Sequence, residues 1–166
     1  MTGVNEDSRA APRAELQDGV VPLMDLAWRT IRWAFAEHVR PRVAAEIGAA
    51  EPHLRASHFR LLSLTPTGGL RLGDLAAEAG MTKQALGEFV AALQDAGLLD
   101  VAVDERDRRA RLVRPTELGR RVQRVIQDAF ADVERRWEAE VGAPRWATFR
   151  EVLAALGRLR DPGERP

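Results

Sequence analysis

Residues 72–99 read LGDLAAEAGMTKQALGEFVAALQDAGLL and hold two short helical patterns separated by a tight turn. The first pattern places apolar residues three or four positions apart, as in an amphipathic helix: Leu72, Leu75, Ala76 and Ala79. Gly80 follows as a candidate left-handed cap. Thr82 is the predicted N-cap of the second helix, and Met81 and Leu86 have the spacing of a hydrophobic staple. The stretch therefore predicts a helix-turn-helix.

The second of these helices has two contrasting faces. Its apolar face consists of Leu86, Phe89, Val90 and Leu93, and its opposite face of Lys83, Gln84, Gly87, Glu88 and Ala91. The outer face is small and polar near its N-terminal end, which suits insertion into the major groove of DNA. Helix pairs joined by a glycine turn also occur in many helical bundles, so this pattern alone is weak evidence for DNA binding.

The sequence after Gly97 changes to the two-residue period of strands. Leu99, Val101 and Val103 alternate with Asp100, Ala102 and Asp104, and residues 111–114 resume the pattern after a polar loop at 105–109. Seven arginines lie between positions 106 and 121, against two acids, although the whole chain has a formal charge of zero. A positive patch of this kind attracts polyanions or acidic partners. Helix, turn, helix and basic hairpin follow each other as in a winged helix-turn-helix.

Helical flanks surround this central part. The first flank carries an amphipathic helix with an expected kink or break at Pro41, and the second carries a seven-turn helix capped by Thr116 and a last helix after Pro144. The predicted fold is mainly α, with one β-hairpin as the wing. The predicted order is disordered tail, N-terminal dimerisation segment, DNA-binding domain, C-terminal dimerisation helices and tail, at residues 1–18, 19–53, 54–115, 116–160 and 161–166.

Composition argues against several classes of function. The chain has 166 residues, of which 45% are hydrophobic and 30% charged, enough for a folded domain with a core. It contains no cysteine and three isolated histidines, so disulfides, thiol chemistry and a zinc site are not expected. It has no Gly-rich phosphate loop, nucleophile elbow or metal-ligand spacing, and we expect no enzyme and no cofactor. No apolar run approaches the roughly 20 residues of a membrane span, which predicts a cytoplasmic protein.

The segment 54–121 resembles the multiple antibiotic resistance regulator (MarR) family of bacterial transcription factors. The resemblance rests on residues 72–99 and on DERDRRARLVRPTELG at 104–119, a wing motif followed by a Thr-x-x-Gly helix start. It implies a homodimer in which terminal helices of the two subunits interlock, with double-stranded DNA as the partner.

The resemblance also implies which side chains contact DNA. Asp107 and Arg109 match the Asp-x-Arg pair of the family wing, so Arg109 is expected in the minor groove with Asp107 holding it in place. Arg106 and Arg108 flank the pair and are expected at phosphates. On the recognition helix, the matching positions are Thr82, Lys83 and Gln84. Gln can pair with adenine, and Lys with guanine or a phosphate. The alternative is a solvated hairpin tip whose charges pair with one another.

The sequence departs from the family pattern at three places. Gly87-Glu88 replaces the Thr-Arg of many members, and Glu88 would repel phosphates or accept a hydrogen bond from cytosine N4. The wing stretch Asp100-Val101-Ala102 lacks a frequent Arg, and Pro115 stands where Leu is typical. Gly87, Glu88 and the neutral overall charge support a second hypothesis, a winged helix that is a protein-interaction module without sequence-specific DNA binding.

Aromatic residues concentrate in the flanks, where all four tryptophans lie. They either fill the core of the dimerisation region or line a pocket for a small aromatic or lipophilic effector, which the resemblance implies between the dimerisation and DNA-binding parts. Arg32 and His38 are candidates for binding an anionic group, although a lone surface histidine is the simpler interpretation. The candidate ligand-binding residues are Trp28, Arg32, Trp33, His38 and Trp137. The first hypothesis is thus a ligand-responsive repressor that binds a pseudo-palindromic operator as a homodimer.

Overall fold

A computed structural model describes residues 19–48, 53–104 and 107–158. Within these ranges the chain forms helices α1 (Val20–Ala34), α2 (Arg40–Ile47), α3 (Ala56–Leu64), α4 (Leu72–Ala79), α5 (Lys83–Asp95), α6 (Glu117–Val141) and α7 (Ala143–Arg158). Three strands accompany them: β1 (Leu70–Arg71), β2 (Leu99–Asp104) and β3 (Asp107–Pro115). The prediction of a mainly α, winged helix-turn-helix fold is confirmed. The predicted tails, and Glu105 and Arg106 at the wing tip, lie outside the described residues.

Local capping fixes the helix-turn-helix at α4 and α5. Gly80 ends α4 in the left-handed conformation, with φ 66° and ψ 36°. The Met81 N–H then donates to the Ala76 carbonyl at 2.9 Å, which closes the turn. Thr82 caps α5 as predicted, since its hydroxyl accepts a hydrogen bond from the Ala85 N–H at 3.2 Å.

The sheet has one more strand than the sequence predicts. Its order is β1-β3-β2, all antiparallel, and Leu70 of β1 pairs with Val113 of β3. Two residues are too few to show a strand period, so the sequence revealed only the β2–β3 hairpin. Gly69 permits the extra pairing because its φ is +85° and a Cβ there would lie 3.0 Å from the Val113 carbonyl oxygen. β3 also begins at Asp107, inside the stretch expected to be loop.

One apolar core joins the winged domain to the long helix α6. Its fully buried side chains include Phe59, Leu62, Leu75, Leu86, Leu98, Val113 and Val122. Gln123 of α6 is also buried, and its side-chain amide donates to the carbonyls of Leu62 and Thr65, both at 2.7 Å. These bonds satisfy the carbonyls where α3 ends. The start of α6 lies so close to the α5–β2 turn that a Cβ on Gly119 would lie 2.0 Å from the Leu98 carbonyl oxygen.

The first flank is not broken at Pro41. A π-helical turn, Phe35–Val39, joins α1 to α2, and the Arg40 N–H donates to the Phe35 carbonyl five residues earlier. This wider turn takes up the irregularity just before Pro41, which then lies in the first turn of α2, where a missing N–H costs little. Ion pairs hold α2 on α6, with N–O distances of 2.6 Å for Arg42–Asp132 and 2.8 Å for Arg121–Glu46.

The outer helices expose much apolar surface in the single chain. α6 runs for 25 residues, as its apolar stripe predicts, and α7 has no buried residue. The large exposed apolar side chains of α1, α6 and α7 are Val20, Val21, Leu23, Met24, Leu26, Trp28, Trp33, Val141, Phe149, Val152, Leu153 and Leu156. None of the helices in the described ranges combines the length and apolar character of a membrane span.

Candidate nucleic-acid interface and the adjoining cavity

The N-terminal end of α5 presents polar side chains to solvent. Thr82, Lys83 and Gln84 are all exposed there. The first N–H groups of a helix lack intrahelical partners and carry a partial positive charge, so this end favours the anionic backbone of a nucleic acid. The stem of Lys83 passes over α4, where a Cβ on Gly73 would lie 3.6 Å from the lysine Cε. The structure thus brings together the three residues that the sequence singled out on this helix.

Gly87 and Glu88 continue the same exposed surface. Glu88 lies one turn after Gln84, so the two side chains are neighbours on the helix face. A Cβ on Gly87 would meet no atom within 4 Å, and the glycine therefore leaves the surface open rather than relieving a contact. A partner can approach the α5 backbone closely at this point.

Arg71 of β1 forms ion pairs with both strands of the wing hairpin. Its guanidinium binds the Asp104 carboxylate at the end of β2, with Nε at 3.0 Å and Nη2 at 2.9 Å from Oδ2. Its Nη1 also lies 3.9 Å from an Asp107 oxygen at the start of β3. The sequence did not indicate a role for Arg71, because a strand of two residues is too short to show an alternating pattern.

The wing residues expected to contact DNA are described only in part. Asp107 is partly exposed and contacts Arg71, which the sequence did not predict. The Arg108 and Arg109 side chains, like the whole of Arg106, lie outside the described residues. Their expected roles stay predictions. At the base of the wing, Arg114 donates to the Asp100 carboxylate at 2.9 Å, so one acidic departure from the family pattern has an ion-pair partner.

A cavity of about 1090 Å³ opens between α1, α3 and α6. Most of its wall is apolar, and its charged side chains are Arg32, Arg60 and Glu134. The lining residues are Trp28, Ile31, Arg32, Phe35, Ala56, Ser57, Phe59, Arg60, Ser63, Ile126, Gln127, Phe130, Ala131 and Glu134. The cavity therefore lies between the flanking helices and α3, the first helix of the winged domain.

The structure divides the predicted ligand residues. Trp28 and Arg32 line the cavity, four residues apart on one face of α1. Trp33 packs edge-on against His38 at 5.4 Å between ring centroids, and neither is among the lining residues. Five residues of α-helix rotate Trp33 by about 140° from Trp28, which explains the separation. Trp137 lies outside the cavity too and packs on Trp146 of α7 at 6.2 Å.

Arg60 is a cavity residue that the sequence did not indicate. It lies on α3, and its Nη1 donates a hydrogen bond to the Ala79 carbonyl at 3.3 Å. That carbonyl belongs to the last turn of α4, where carbonyls lack intrahelical partners. The same side chain thus lines the cavity and contacts the helix-turn-helix. The sequence carried no signal for Arg60, because its role depends on contacts between helices that are far apart in the chain.

His58 of α3 packs against α5. Its ring packs on Phe89 at 4.6 Å between centroids, and its Nδ1 accepts a hydrogen bond from the Arg55 N–H at 2.9 Å. Burial, followed by the nearby positive charge of Arg55, lowers the pKa of His58 below its ordinary value. Protonation of Nδ1 would remove the acceptor that caps α3, so the neutral ring is the form that fits this site.

Comparison with known proteins identifies the winged domain. The sequence profile of the MarR family matches residues 54–110. The HTH-type transcriptional regulator PetP of Rhodobacter capsulatus is 34% identical over 113 residues, which are 68% of this chain and 64% of that protein. The chain thus spans slightly less than two thirds of this relative's length.

Solved structures share the fold at lower sequence identity. The PcaV transcriptional regulator from Streptomyces coelicolor, in complex with its natural ligand, has a TM-score of 0.67 at 20% identity and covers 97% of this chain and 100% of its own. CouR from Rhodococcus jostii RHA1, bound to p-coumaroyl-CoA, has a TM-score of 0.66 at 21% identity, with coverage of 85% and 93%. The winged helix-turn-helix at residues 54–110 is thus similar in sequence to the MarR family, and the described residues share the fold of these solved structures.

Proposed function

We propose that the protein is a transcriptional repressor that binds a pseudo-palindromic DNA operator as a homodimer and releases it when a small effector binds. The observation that carries the proposal is the exposed N-terminal end of α5, where Thr82, Lys83 and Gln84 stand together on one surface. A helix presented in this way enters the major groove, and the wing beside it reaches the backbone or the minor groove. The relative from R. capsulatus is itself named a transcriptional regulator.

Dimerisation is supported by the outer helices. Val21 of α1 is 79% exposed and Val152 of α7 is 51% exposed, amid the apolar side chains named above. Contiguous apolar surface of this extent marks a protein interface, and a second copy of the same helices would cover it. Two copies would also present two α5 helices, as a pseudo-palindromic site requires.

The effector proposed is a small aromatic or lipophilic molecule with an anionic group. The apolar wall of the cavity suits a ring, and Arg32 and Arg60 provide positive charge. PcaV and CouR were each solved with a bound ligand, and the ligand of CouR carries a p-coumaroyl group. These two structures resemble the present one in fold, so they support the proposal by analogy.

Selection from a genomic DNA library tests the proposal. The pure protein is mixed with random genomic fragments at physiological salt, and the retained DNA is sequenced. A repressor of this kind will enrich fragments that share an inverted repeat, with half-sites about one helical turn apart. Retention without a shared sequence would contradict sequence-specific binding.

A protein-interaction module is the second candidate, and Glu88 favours it. Its carboxylate is exposed on the surface that would meet DNA phosphates, and the whole chain has a formal charge of zero. In that case the protein would retain no DNA at 150 mM salt, and Glu88→Gln would not change this. If Glu88→Gln strengthens retention of an already enriched fragment, the DNA-binding function holds.

A further inference from the structure

We infer that Arg60 is the positioning residue through which an anionic effector in the cavity loosens the start of the recognition helix. The inference rests on the proposed function and names the contact that transmits the signal. Arg60 lines the cavity, and its Nη1 donates to the Ala79 carbonyl at 3.3 Å. One guanidinium therefore connects the ligand space with the helix-turn-helix.

The Ala79 carbonyl lies at the end of α4, in the turn that leads into α5. Gly80 follows it in the left-handed conformation, and Met81 closes the turn through its bond to Ala76. Thr82 comes next as the N-cap of α5. Only two residues thus separate the carbonyl from the cap, so any loosening of the Ala79 end reaches the residues that face DNA. The guanidinium charge also suits the negative end of the α4 dipole.

A bound carboxylate would compete for Arg60. A charge-assisted hydrogen bond between guanidinium and carboxylate is roughly twice as strong as one to a neutral acceptor, and it can be bidentate. Arg32 lines the same cavity and offers a second cation, whereas Glu134 is the acidic lining residue that an entering anion must displace or avoid. When Arg60 turns toward the ligand, the Ala79 carbonyl loses its donor. The turn before α5 then opens more often.

The experiment uses hydrogen exchange of the 166-residue chain, followed in the amides of Gly80, Met81 and Ala85. Benzoate and p-coumarate are the anionic probes, benzamide is the neutral control, and tryptophan fluorescence establishes saturation. Arg60→Met keeps the aliphatic stem and removes the guanidinium. Arg32→Met is the matched variant, because Arg32 lines the cavity from α1 rather than from α3.

Loss of one hydrogen bond should speed exchange at these amides about fivefold. We expect this rise in Arg60→Met without any ligand, and in the wild type and Arg32→Met when an acid saturates them. We expect no further rise when the acid is added to Arg60→Met, and benzamide should have no effect. Unchanged exchange in ligand-free Arg60→Met would overturn the inference.

The outcomes separate this inference from the proposed function. If the acids bind and release DNA equally well from the wild type and Arg60→Met, another route carries the signal and the repressor function stands. If neither acid binds, the effector part of the proposed function fails and the inference fails with it. Operator binding by the wild-type protein without ligand tests the DNA-binding part of the proposed function independently of either result.

Discussion

At the scale of single residues, Gly80 ends α4, and Thr82 and Thr116 cap the starts of α5 and α6. The capping roles of Gly80, Thr82 and Thr116 were readable because each depends on residue type and local spacing. Arg60 was not readable, since its two roles depend on α3, α4 and α6 meeting at one place. The helix predicted over the first flank already implied that Trp28 and Trp33 point in different directions, because five residues turn an α-helix by about 140°, and placing both in one ligand site overlooked this.

Gln84 is expected to read a base. Gln84→Ala should weaken binding to the best operator by about 1–3 kcal/mol and relax preference at one base pair in each half-site, because a bidentate amide contact is lost. Titration of operators changed at single positions measures both effects. Gln94→Ala, at the exposed far end of α5, is the matched control and should leave binding unchanged. Equal weakening on every sequence would show that Gln84 contacts only the backbone.

Two glycines should respond to alanine in opposite ways. Gly119→Ala places a methyl group 2.0 Å from the Leu98 carbonyl oxygen, and should lower the free energy of unfolding by more than about 2 kcal/mol. Gly87→Ala meets no atom within 4 Å and should raise it by up to about 1 kcal/mol through helix propensity. Urea unfolding measures both. A stable Gly119→Ala protein would contradict the packing of α6 on the α5–β2 turn.

Helices and strands were predictable where their apolar pattern repeated over many residues. The apolar stripe of α6 predicted its seven turns, and the alternation after Gly97 predicted the hairpin. β1 was missed because two residues show no period, and the π-helical turn because a wider helical turn leaves no compositional sign. The expected kink or break at Pro41 rested on the proline itself. In the structure, packing of α2 on α6 keeps this flank helical.

The α3–α5 contact should weaken in mild acid. The pKa of His58 is lower in the folded protein than in the unfolded chain, so the unfolded state takes up its proton first as pH falls. The contribution of His58 is complete above about pH 6.5 and declines below it. The melting temperature should fall between pH 7.5 and pH 5, and by less in His58→Gln. The lowered pKa values of Glu117 and Asp132 act only at more acidic pH. Equal falls in both proteins would contradict this role.

The wing should supply salt-dependent affinity. If Arg108 meets a phosphate, Arg108→Ala in both subunits should lower the slope of log affinity against log salt by up to about two and weaken all sequences alike. Arg109→Ala should instead remove preference for a narrow, A·T-rich minor groove. Arg124→Ala on the exposed side of α6 is the control. Wild-type affinity and salt slope in both wing variants would mean that the wing does not touch DNA.

At the scale of the whole molecule, the exposed apolar side chains of α1, α6 and α7 indicate an interface with a second protein chain. We expect the protein to sediment as a dimer at micromolar concentration, because interfaces of interlocked helices commonly bury more than about 2000 Å². The double variant Val152→Glu and Leu156→Glu should give monomers or unfolded chains. Val103→Glu introduces the same charge at a similarly exposed position of the wing, and should remain dimeric. A folded wild-type monomer would contradict the proposed assembly.

Sequence-specific DNA binding is the central claim, and one titration tests it most directly. A fragment retained from the genomic library and a scrambled fragment of equal length and composition are each titrated with the protein from 50 to 200 mM salt. At physiological salt we predict a preference of at least about 10³-fold for the retained fragment, with affinity falling steeply as salt rises. Equal affinity for the two fragments would contradict the account.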